Sequence, residues 1–274
     1  MSECNHDCSN CSANCGSRTD PQSLLVPQNE VSNIKKVIGV VSGKGGVGKS
    51  MVTSLLAAAM NRQGKNTALM DADVTGPSIP KMFGIHGRVQ ADENYWYPME
   101  SKGGIKVISL NLLVENETDP VIWRGPVIAG LIQQFWKDVN WGNVDYMFID
   151  MPPGTGDVPL TVFQSIKLDG IIIAATPQEL VSMIVSKAVN MAKMMNVPII
   201  GVVENMSYLR CPHCGEEIQL FGQSHTAEAA AEHGLPLLDR IPVDPQLATL
   251  SDAGEIEKAD TTVLSNTIQT ILNL

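Results

Sequence analysis

Residues 43–50 read GKGGVGKS, and this stretch decides the fold of the chain. An apolar run, VIGVV, precedes it at residues 37–41, and a helical pattern follows it with Val52, Leu55 and Leu56 on one face. A G-x-x-x-x-G-K-S spacing between a strand and a helix is typical of a P-loop, which wraps around phosphate groups. The stretch therefore predicts a nucleotide-binding α/β domain rather than a glycine-rich turn with no ligand.

The residue types in this loop explain how it would hold a nucleotide. Its glycines let the backbone curl and direct N–H groups at phosphate oxygens, and the helix that follows adds the positive end of its dipole. Lys49 is predicted to reach the β- and γ-phosphates of ATP, and Ser50 to ligate Mg²⁺. The predicted nucleotide-binding residues here are Gly43, Lys44, Gly45, Gly46, Val47, Gly48, Lys49, Ser50 and Met51.

Composition limits the class of protein. The 274 residues suffice for one large α/β domain plus a tail, and the formal net charge of −10 argues against nonspecific nucleic-acid binding. No apolar run has the length of a membrane span, and the first residues lack the apolar core of a signal peptide. We therefore expect a cytoplasmic protein with no nucleic-acid or membrane partner. In that compartment its six cysteines are expected to be metal ligands or free thiols.

A second predicted feature of the nucleotide site is an acid that follows an apolar strand. Residues 144–150 read VDYMFID, a Walker B pattern in which the carboxylate of Asp150 acts on Mg²⁺ through water. The turn at residues 151–157, MPPGTGD, follows directly, and Gly154 is predicted to contact the γ-phosphate through its backbone N–H. Asp71 and Asp73 likewise end an apolar strand at residues 66–73, where ligands bind to parallel sheets.

The N-terminal residues 1–33 are predicted to be a flexible, cysteine-rich tail that precedes the ATPase domain at residues 34–274. Cys4, Cys8, Cys11 and Cys15 have the spacing C-x3-C-x2-C-x3-C. Four thiolates that close together repel one another unless they are protonated or bound to metal, so a soft metal or an iron–sulfur cluster is predicted. A tail of reduced thiols with nothing bound is the alternative.

A second cysteine pair lies in a knuckle inserted at about residues 208–222. Cys211 and Cys214 occur in the sequence CPHCG, so two thiolates can chelate one metal centre. Because one pair supplies only half of a ligand set, a symmetric homodimer that brings two copies together is predicted. The alternative is an intramolecular zinc knuckle completed by Cys8 and Cys11.

The remaining pattern predicts a doubly wound, mostly parallel sheet of seven or eight strands, because strands and helices alternate throughout. An irregular segment or short hairpin is expected at residues 84–104. Further strands are expected at residues 105–110, 170–175, 197–203 and 237–241, and further helices from Trp123 to Trp136, after Pro177, at residues 225–233 and at residues 261–272.

Several of these strings together resemble one family. GKGGVGKS, WRGP, DMPPGTGD, TPQE and ENMSYLRCPHCGEE occur in order and are similar to motifs of the Mrp/ApbC iron–sulfur cluster carriers. That family belongs to the MinD, ParA and nitrogenase-iron-protein class of P-loop ATPases, which has a deviant Walker A loop. The four tail cysteines depart from the commonest bacterial pattern of the family.

The resemblance implies an ATPase that uses Mg²⁺, binds a 4Fe–4S cluster between two subunits and delivers it to apo iron–sulfur proteins. It implies that Lys44 reaches across the dimer to the partner's phosphates, which makes Lys44, Lys49 and Asp73 the catalytic residues. Asp73 would help to position the attacking water, and Asp71 would lie nearer the Mg²⁺ shell. Asn205 would contact the adenine ring.

Three other classes share part of this pattern. A MinD-like membrane ATPase would need a basic amphipathic C-terminus, but residues 261–274 contain no Lys or Arg. A ParA-like DNA-partitioning ATPase would need a basic face, of which a chain with net charge −10 gives no sign. A zinc-binding regulatory ATPase keeps both the P-loop and the cysteines, and it is the main alternative.

Overall fold

The strands and helices alternate along the chain. The structure is a computed structural model that describes residues 24–73, 78–114, 125–178 and 181–274. The strands are β1 (Asn33–Val41), β2 (Thr67–Asp71), β3 (Gln90–Ala91), β4 (Trp96–Tyr97), β5 (Met99–Glu100), β6 (Lys106–Ser109), β7 (Asn143–Asp150), β8 (Gly170–Ala175), β9 (Ile199–Glu204), β10 (Leu209–Arg210), β11 (Glu217–Ile218) and β12 (Leu237–Arg240). The helices are α1 (Lys49–Arg62), α2 (Ile79–Met82), α3 (Gly125–Lys137), α4 (Asp157–Ser165), α5 (Val181–Met194), α6 (Thr226–Ala231), α7 (Pro245–Asp252) and α8 (Ser265–Leu272).

Eight strands form the central sheet, in the order β12-β9-β8-β1-β7-β2-β6-β5. Neighbouring strands are parallel except for β5, which pairs antiparallel with β6. The prediction of a mostly parallel sheet of seven or eight strands is therefore confirmed. Two small antiparallel pairs lie outside it: β3 with β4 in the segment expected to be irregular or a short hairpin, and β10 with β11 in the predicted knuckle.

Helices cover both faces of the sheet, which is why its strands are apolar throughout. In β1, Val37 and Val41 face one hydrophobic cluster with α3, α4, α5 and α6, whereas Ile38 and Val40 face the other with α1, α2, α7 and α8. All six residues of β8 are buried for the same reason. This arrangement places the carboxyl ends of β1, β2, β7, β8 and β9 along one edge, where the loops gather.

The sequence pattern did not predict the helices α2, α4 and α7. The start of α7 carries an available signal, because the side chain of Asp244 caps it by accepting a 2.8 Å hydrogen bond from the N–H of Gln246, and Pro245 follows the cap. The α3 helix is described from Gly125 onward, so the predicted opening residues Trp123 and Arg124 lie outside the described residues. Among the described helices, none is long and apolar enough to cross a membrane.

The end of the predicted tail is bound to the domain. The N–H of Val26 donates to the carbonyl of Ser165 at 2.8 Å, and the Trp136 indole donates to the carbonyl of Val26 at 2.8 Å. The Gln28 side chain forms two hydrogen bonds with the backbone of Ile34. Val26 and Gln28, which the predicted boundary at residue 34 assigns to the tail, therefore contact the domain. The tail cysteines Cys4, Cys8, Cys11 and Cys15 lie outside the described residues.

Candidate functional site

The loop at residues 42–48 joins β1 to α1 in the conformation that a P-loop needs. Gly48 precedes the first residue of α1 with φ 73°, a backbone region that favours glycine. A Cβ atom on Gly48 would also lie 2.2 Å from Asn205 Nδ2, and one on Gly43 would lie 2.4 Å from Ile184 Cγ2 of α5. The two glycines therefore let other parts of the chain pack closely against the loop.

The loop forms one wall of a cavity of about 460 Å³. All predicted loop residues from Lys44 to Met51 line it, and so do Asp73 and Asn205. Gly43 is absent from the lining because its backbone lies against α5. The cavity has the size and the concave shape of a small-molecule site.

The opposite wall was missed in the sequence analysis. It comes from Pro242, Val243 and Asp244, which lie between β12 and α7, and from Leu247 and Ala248 of α7. Except for Asp244, these residues join Met51 and Met206 in supplying apolar surface of the kind that holds a purine ring. The capped start of α7 could have indicated the helix from the sequence. It could not have indicated that α7 lines this cavity, because that depends on the order of the strands in the sheet.

The predicted phosphate and metal residues lie together at the carboxyl edge of the sheet. Lys49 Nζ is buried 2.8 Å from Asp150 Oδ1 and 3.6 Å from Asp73 Oδ2. Ser50 Oγ donates a 2.6 Å hydrogen bond to Asp150 Oδ2. Asp71 is in register with Asp150 on the neighbouring strand. Five residues that the sequence placed on three separate segments therefore form one cluster.

Thr53 also belongs to this cluster, although the sequence analysis did not single it out. Its Oγ1 lies 2.8 Å from Asp150 Oδ1 and 2.9 Å from the Lys49 carbonyl, so its one proton can go to either oxygen. Thr53 follows Lys49 by one helical turn on the same face, which is the signal that could have indicated it. It can hold Asp150 in place when a ligand draws Lys49 and Ser50 away.

The charge balance of the cluster acts most strongly on Asp71. Burial raises the pKa of Asp71 well above its usual value, and the neighbouring charge of Asp150 raises it further. Lys49 and a hydrogen bond from Ser109 Oγ at 3.1 Å act in the opposite direction. Without a bound cation, the site favours the neutral form of Asp71. A divalent cation here would reverse that preference, so the donor set suits Mg²⁺.

Asp71→Asn is expected to stabilise the protein in the absence of Mg²⁺ and nucleotide, because an amide removes one of three crowded carboxylates. The melting temperature should rise by at least about 2 °C in mildly alkaline buffer. Folding raises the pKa of Asp71. The stabilisation that its bound proton gives the folded protein is therefore fully present below the pKa of Asp71 in the unfolded chain, and it is lost as the pH rises through the pKa in the folded protein. The increase in melting temperature caused by Asp71→Asn should therefore be smaller in acidic buffer.

The matched control is Asp145→Asn, measured in the same thermal melts. Hydrogen bonds from Lys35 and from the N–H of Asn66 hold the pKa of Asp145 below its usual value. Stability linked to Asp145 is therefore present above its unfolded pKa, and Asp145→Asn should lower the melting temperature at neutral pH. An Asp71→Asn protein that melts earlier than the parent at every pH would contradict this account.

Three other predicted residues have partners within the chain. Lys44 Nζ donates to Gln178 Oε1 at the segment before α5. The Gly154 N–H donates to the Ser42 carbonyl at 2.8 Å, so it would have to exchange that bond to reach a phosphate. Asn205 Nδ2 donates to the Val47 carbonyl at 2.9 Å, which connects the end of β9 to the loop.

The second cysteine pair lies at the tip of the β10–β11 hairpin. The N–H of Cys211 donates to the Glu216 carbonyl and the N–H of Gly215 to the Cys211 carbonyl, both at 2.9 Å. Cys211 is half-buried and Cys214 is exposed. Hydrogen bonds from the N–H groups of Cys214 and His213 lower the pKa of the Cys211 thiol, which favours the thiolate that binds metal.

The pair is an incomplete ligand set in the part of the chain that is described. Among the described residues, no further His, Cys, Asp or Glu joins Cys211 and Cys214 in a group that could hold a metal ion. The tail cysteines, which include the alternative ligands Cys8 and Cys11, are not among the described residues.

A glycine-rich loop between a parallel strand and a helix, with its lysine buried against strand-end carboxylates, defines a P-loop NTPase. The family profile described as ParA, the NUBPL iron-transfer P-loop NTPase, matches residues 33–273. The chain belongs to this family. The family predicted from the motif strings is thereby confirmed.

Curated relatives cover most of the chain. A protein named iron-sulfur cluster carrier protein from Clostridium perfringens is 46% identical over 234 residues, which are 82% of either chain. A protein of the same name from Methanocaldococcus jannaschii is 45% identical over 261 residues, 93% of this chain and 90% of the relative.

Solved structures agree with the fold. A nucleotide-binding protein from Archaeoglobus fulgidus, in complex with ADP and with cobalt found in it, is 44% identical, with a TM-score of 0.74 over 83% of this chain and 89% of its own. The cell division protein MinD from Aquifex aeolicus, at 20% identity and a TM-score of 0.61, covers 87% of this chain and 98% of its own. That second likeness concerns the fold alone.

Proposed function

We propose that this chain is an ATP-hydrolysing carrier that assembles a 4Fe–4S cluster between two copies of itself and transfers the cluster to apo-proteins. The observation that carries the proposal is the cysteine hairpin, which offers half of a ligand set beside the nucleotide cavity of an iron-transfer family. The names of the curated relatives support the same function. A cytoplasmic location suits a carrier whose thiols must stay reduced.

The nucleotide half of the function rests on the cluster around Asp150. Ser50 and Asp150 would hold Mg²⁺, which would supply positive charge to offset the charge of the phosphates. Lys49 would then leave Asp150 for the β- and γ-phosphates, and the loop N–H groups would bind the remaining oxygens. Asp73 would orient the attacking water, and its position in the cavity lining, 3.6 Å from Lys49, supports that role.

The cargo half rests on the exposure of the cysteine pair. Two hairpins related by a two-fold axis would supply the four thiolates that a 4Fe–4S cluster needs. Because four thiolates leave the cluster with a net charge of about −2, full burial in an acidic protein would be costly. Cys214 is exposed, which suits a shallow site from which an apo-protein can take the cluster.

The test that separates this function from a zinc-binding regulatory ATPase is metal analysis with visible absorption of anaerobically purified protein. A carrier should contain iron and sulfide and absorb broadly in the visible range, with loss of the absorption in air. Stoichiometric zinc without visible absorption would contradict the proposal, since zinc has no such transitions.

Lys44→Ala is expected to abolish hydrolysis while nucleotide still binds through Lys49 and the loop. The reason is the proposed action of Lys44 on the partner's phosphates, for which it would leave Gln178. Mixing Lys44→Ala with Lys49→Ala protein checks this in a steady-state hydrolysis assay. Each mixed dimer would contain one site with its own Lys49 and the partner's Lys44, so partial recovery is expected. No recovery at any ratio, with mixed dimers shown to form, would contradict action across the dimer.

A further inference from the structure

Two neighbouring segments, residues 204–208 and 241–244, are hydrogen-bonded to each other and extend from the lining of the nucleotide cavity to the base of the cysteine hairpin. The N–H groups of Ile241 and Val243 donate to the carbonyls of Glu204 and Tyr208, at 2.8 and 2.7 Å, and the N–H of Ser207 donates to the carbonyl of Ile241 at 2.9 Å. Residues 205–206 and 242–244 of this double segment line the cavity. Tyr208 leads directly into β10. These two segments, residues 204–208 and 241–244, are called the wall below. The wall therefore lines the nucleotide cavity and leads into the cysteine hairpin.

Glu204 is the buried charge within this wall. Its side chain is fully buried and accepts hydrogen bonds from the hydroxyls of Ser207 and Ser224. These two serines flank the hairpin, so both of its ends are attached to one carboxylate. The next residue, Asn205, holds the P-loop through the Val47 carbonyl.

Arg240 at the end of β12 joins this carboxylate to the hairpin itself. Its Nε donates to Ser207 Oγ at 2.7 Å and lies 3.6 Å from Glu204 Oε1. Its Nη1 lies 3.9 Å from Glu217 Oε2 on β11, and its guanidinium group is 5.1 Å from the centre of the Tyr208 ring. Arg240 thus contacts the wall on one side and the hairpin on the other.

In the part of the chain that the structure describes, β10 and β11 pack mainly against each other. These strands contain only two residues each, and residues 212–223 are exposed. The orientation of the hairpin therefore depends on a few attachments, which include the contacts made by Glu204 and Arg240 and the backbone hydrogen bond from Val243 to Tyr208. If Asn205 and Val243 shift when nucleotide binds, the contacts of Glu204 and Arg240 would transmit that shift to the hairpin and change the positions of its cysteines.

We propose that Arg240, paired with Glu204, is a positioning residue that couples nucleotide binding to the hold of Cys211 and Cys214 on their metal cargo. The inference rests on the proposed carrier function and adds a regulatory connection to it. Coupling of this kind is reciprocal, so the cargo must change nucleotide affinity by the same factor.

Arg210 provides a matched control. Its guanidinium group lies 5.8 Å from the centre of the same Tyr208 ring, and its Nη2 lies 3.4 Å from Oε1 of the same Glu217. However, Arg210 belongs to β10, so its ion pair with Glu217 lies within the hairpin. Arg210→Gln removes a similar charge and leaves the contacts of Arg240 with Glu204, Ser207 and Glu217 in place.

The experiment measures Co²⁺ affinity by thiolate-to-cobalt absorption, with and without a non-hydrolysable ATP analogue, in excess Mg²⁺. The full chain is used with Cys4, Cys8, Cys11 and Cys15 changed to Ser, so that the absorption reports only the hairpin pair. Nucleotide should change the Co²⁺ affinity of this parent by about 5-fold or more. The ratio of the Co²⁺ affinities with and without nucleotide should fall to within about 2-fold of unity in Arg240→Gln. In Arg210→Gln this ratio should stay at the parent value.

Two further variants keep the test conclusive if Arg240→Gln is destabilised. Arg240→Lys keeps a charge opposite Glu204 and should retain part of the coupling, which a purely structural role would not predict. Glu217→Gln cuts the connection at the exposed surface, so it should lower the ratio even if Arg240→Gln proves too unstable to purify. Nucleotide affinity measured with and without Co²⁺ should give the same ratios.

The outcomes distinguish the two proposals. A parent that shows no thiolate-to-cobalt absorption overturns the carrier function and this inference together. If the parent binds Co²⁺ with the same affinity in the presence and absence of nucleotide, the coupling through Arg240 is overturned and the carrier function is not. The same holds if Arg240→Gln, or Glu217→Gln in its place, keeps the parent ratio.

Discussion

Lys49→Ala protein is expected to hydrolyse ATP at less than about one hundredth of the parent rate. Lys49 is the buried cation of the nucleotide site, 2.8 Å from Asp150 and 3.6 Å from Asp73. Its removal leaves the β- and γ-phosphates without that charge and leaves the two carboxylates to repel them. Both effects raise the barrier to phosphoryl transfer.

The measurement needs a control for folding, since Lys49 also balances three buried carboxylates. Lys35→Ala removes an exposed lysine that pairs with Asp145 on the far end of the same sheet, and it should hydrolyse ATP at the parent rate. Thermal melts and circular dichroism of both variants should be compared first. A folded Lys49→Ala protein with parental hydrolysis would disprove the ATPase assignment.

The second large effect is expected from Cys211→Ser with Cys214→Ser. Reconstituted parent should bind one hairpin cluster per dimer and pass it to an apo-ferredoxin-type acceptor, whereas the double variant should do neither. A hydroxyl is a poor ligand for iron in such a cluster, and each copy contributes only these two thiolates in the described hairpin. ATP binding should persist, because the cysteines lie outside the cavity lining.

Two controls isolate the hairpin. The variant with Cys4, Cys8, Cys11 and Cys15 changed to Ser serves as the parent, so that any tail cluster is removed from the count. His213→Ala changes a neighbour between the two cysteines and should leave transfer intact. One cluster per monomer in a monomeric species, or unchanged transfer by the double variant, would contradict a cluster shared between two copies.

The resemblance and the single-chain geometry describe Lys44 differently. The motif resemblance assigns Lys44 to the phosphates of a partner subunit, whereas here its ammonium group contacts Gln178 of its own chain. Lys44 is therefore bound to a neighbour that it would release on dimer formation. Loop residues change partners readily because few packing contacts hold them.

Local sequence was sufficient for the parts of the site that depend on neighbouring residues. The P-loop, the acids at strand ends and the cysteine pair each occupy a few consecutive positions, and the family could be recognised from their order. The buried strands were predictable because helices cover both faces of the sheet, which makes the strands continuously apolar.

Only the tertiary structure decided which of these segments meet. The bond from Ser50 to Asp150 spans 100 residues and exists because β1 and β7 are neighbours in the sheet. The wall made by the segment before α7, the attachment of Val26, and the contacts of Arg240 with Glu204 and Glu217 likewise join distant positions. Such contacts follow from strand order and from the packing of helices on the sheet, and no short stretch of sequence encodes either. The sequence by itself therefore determined the chemistry of each element, and the packing of the sheet decided how those elements combine into one site.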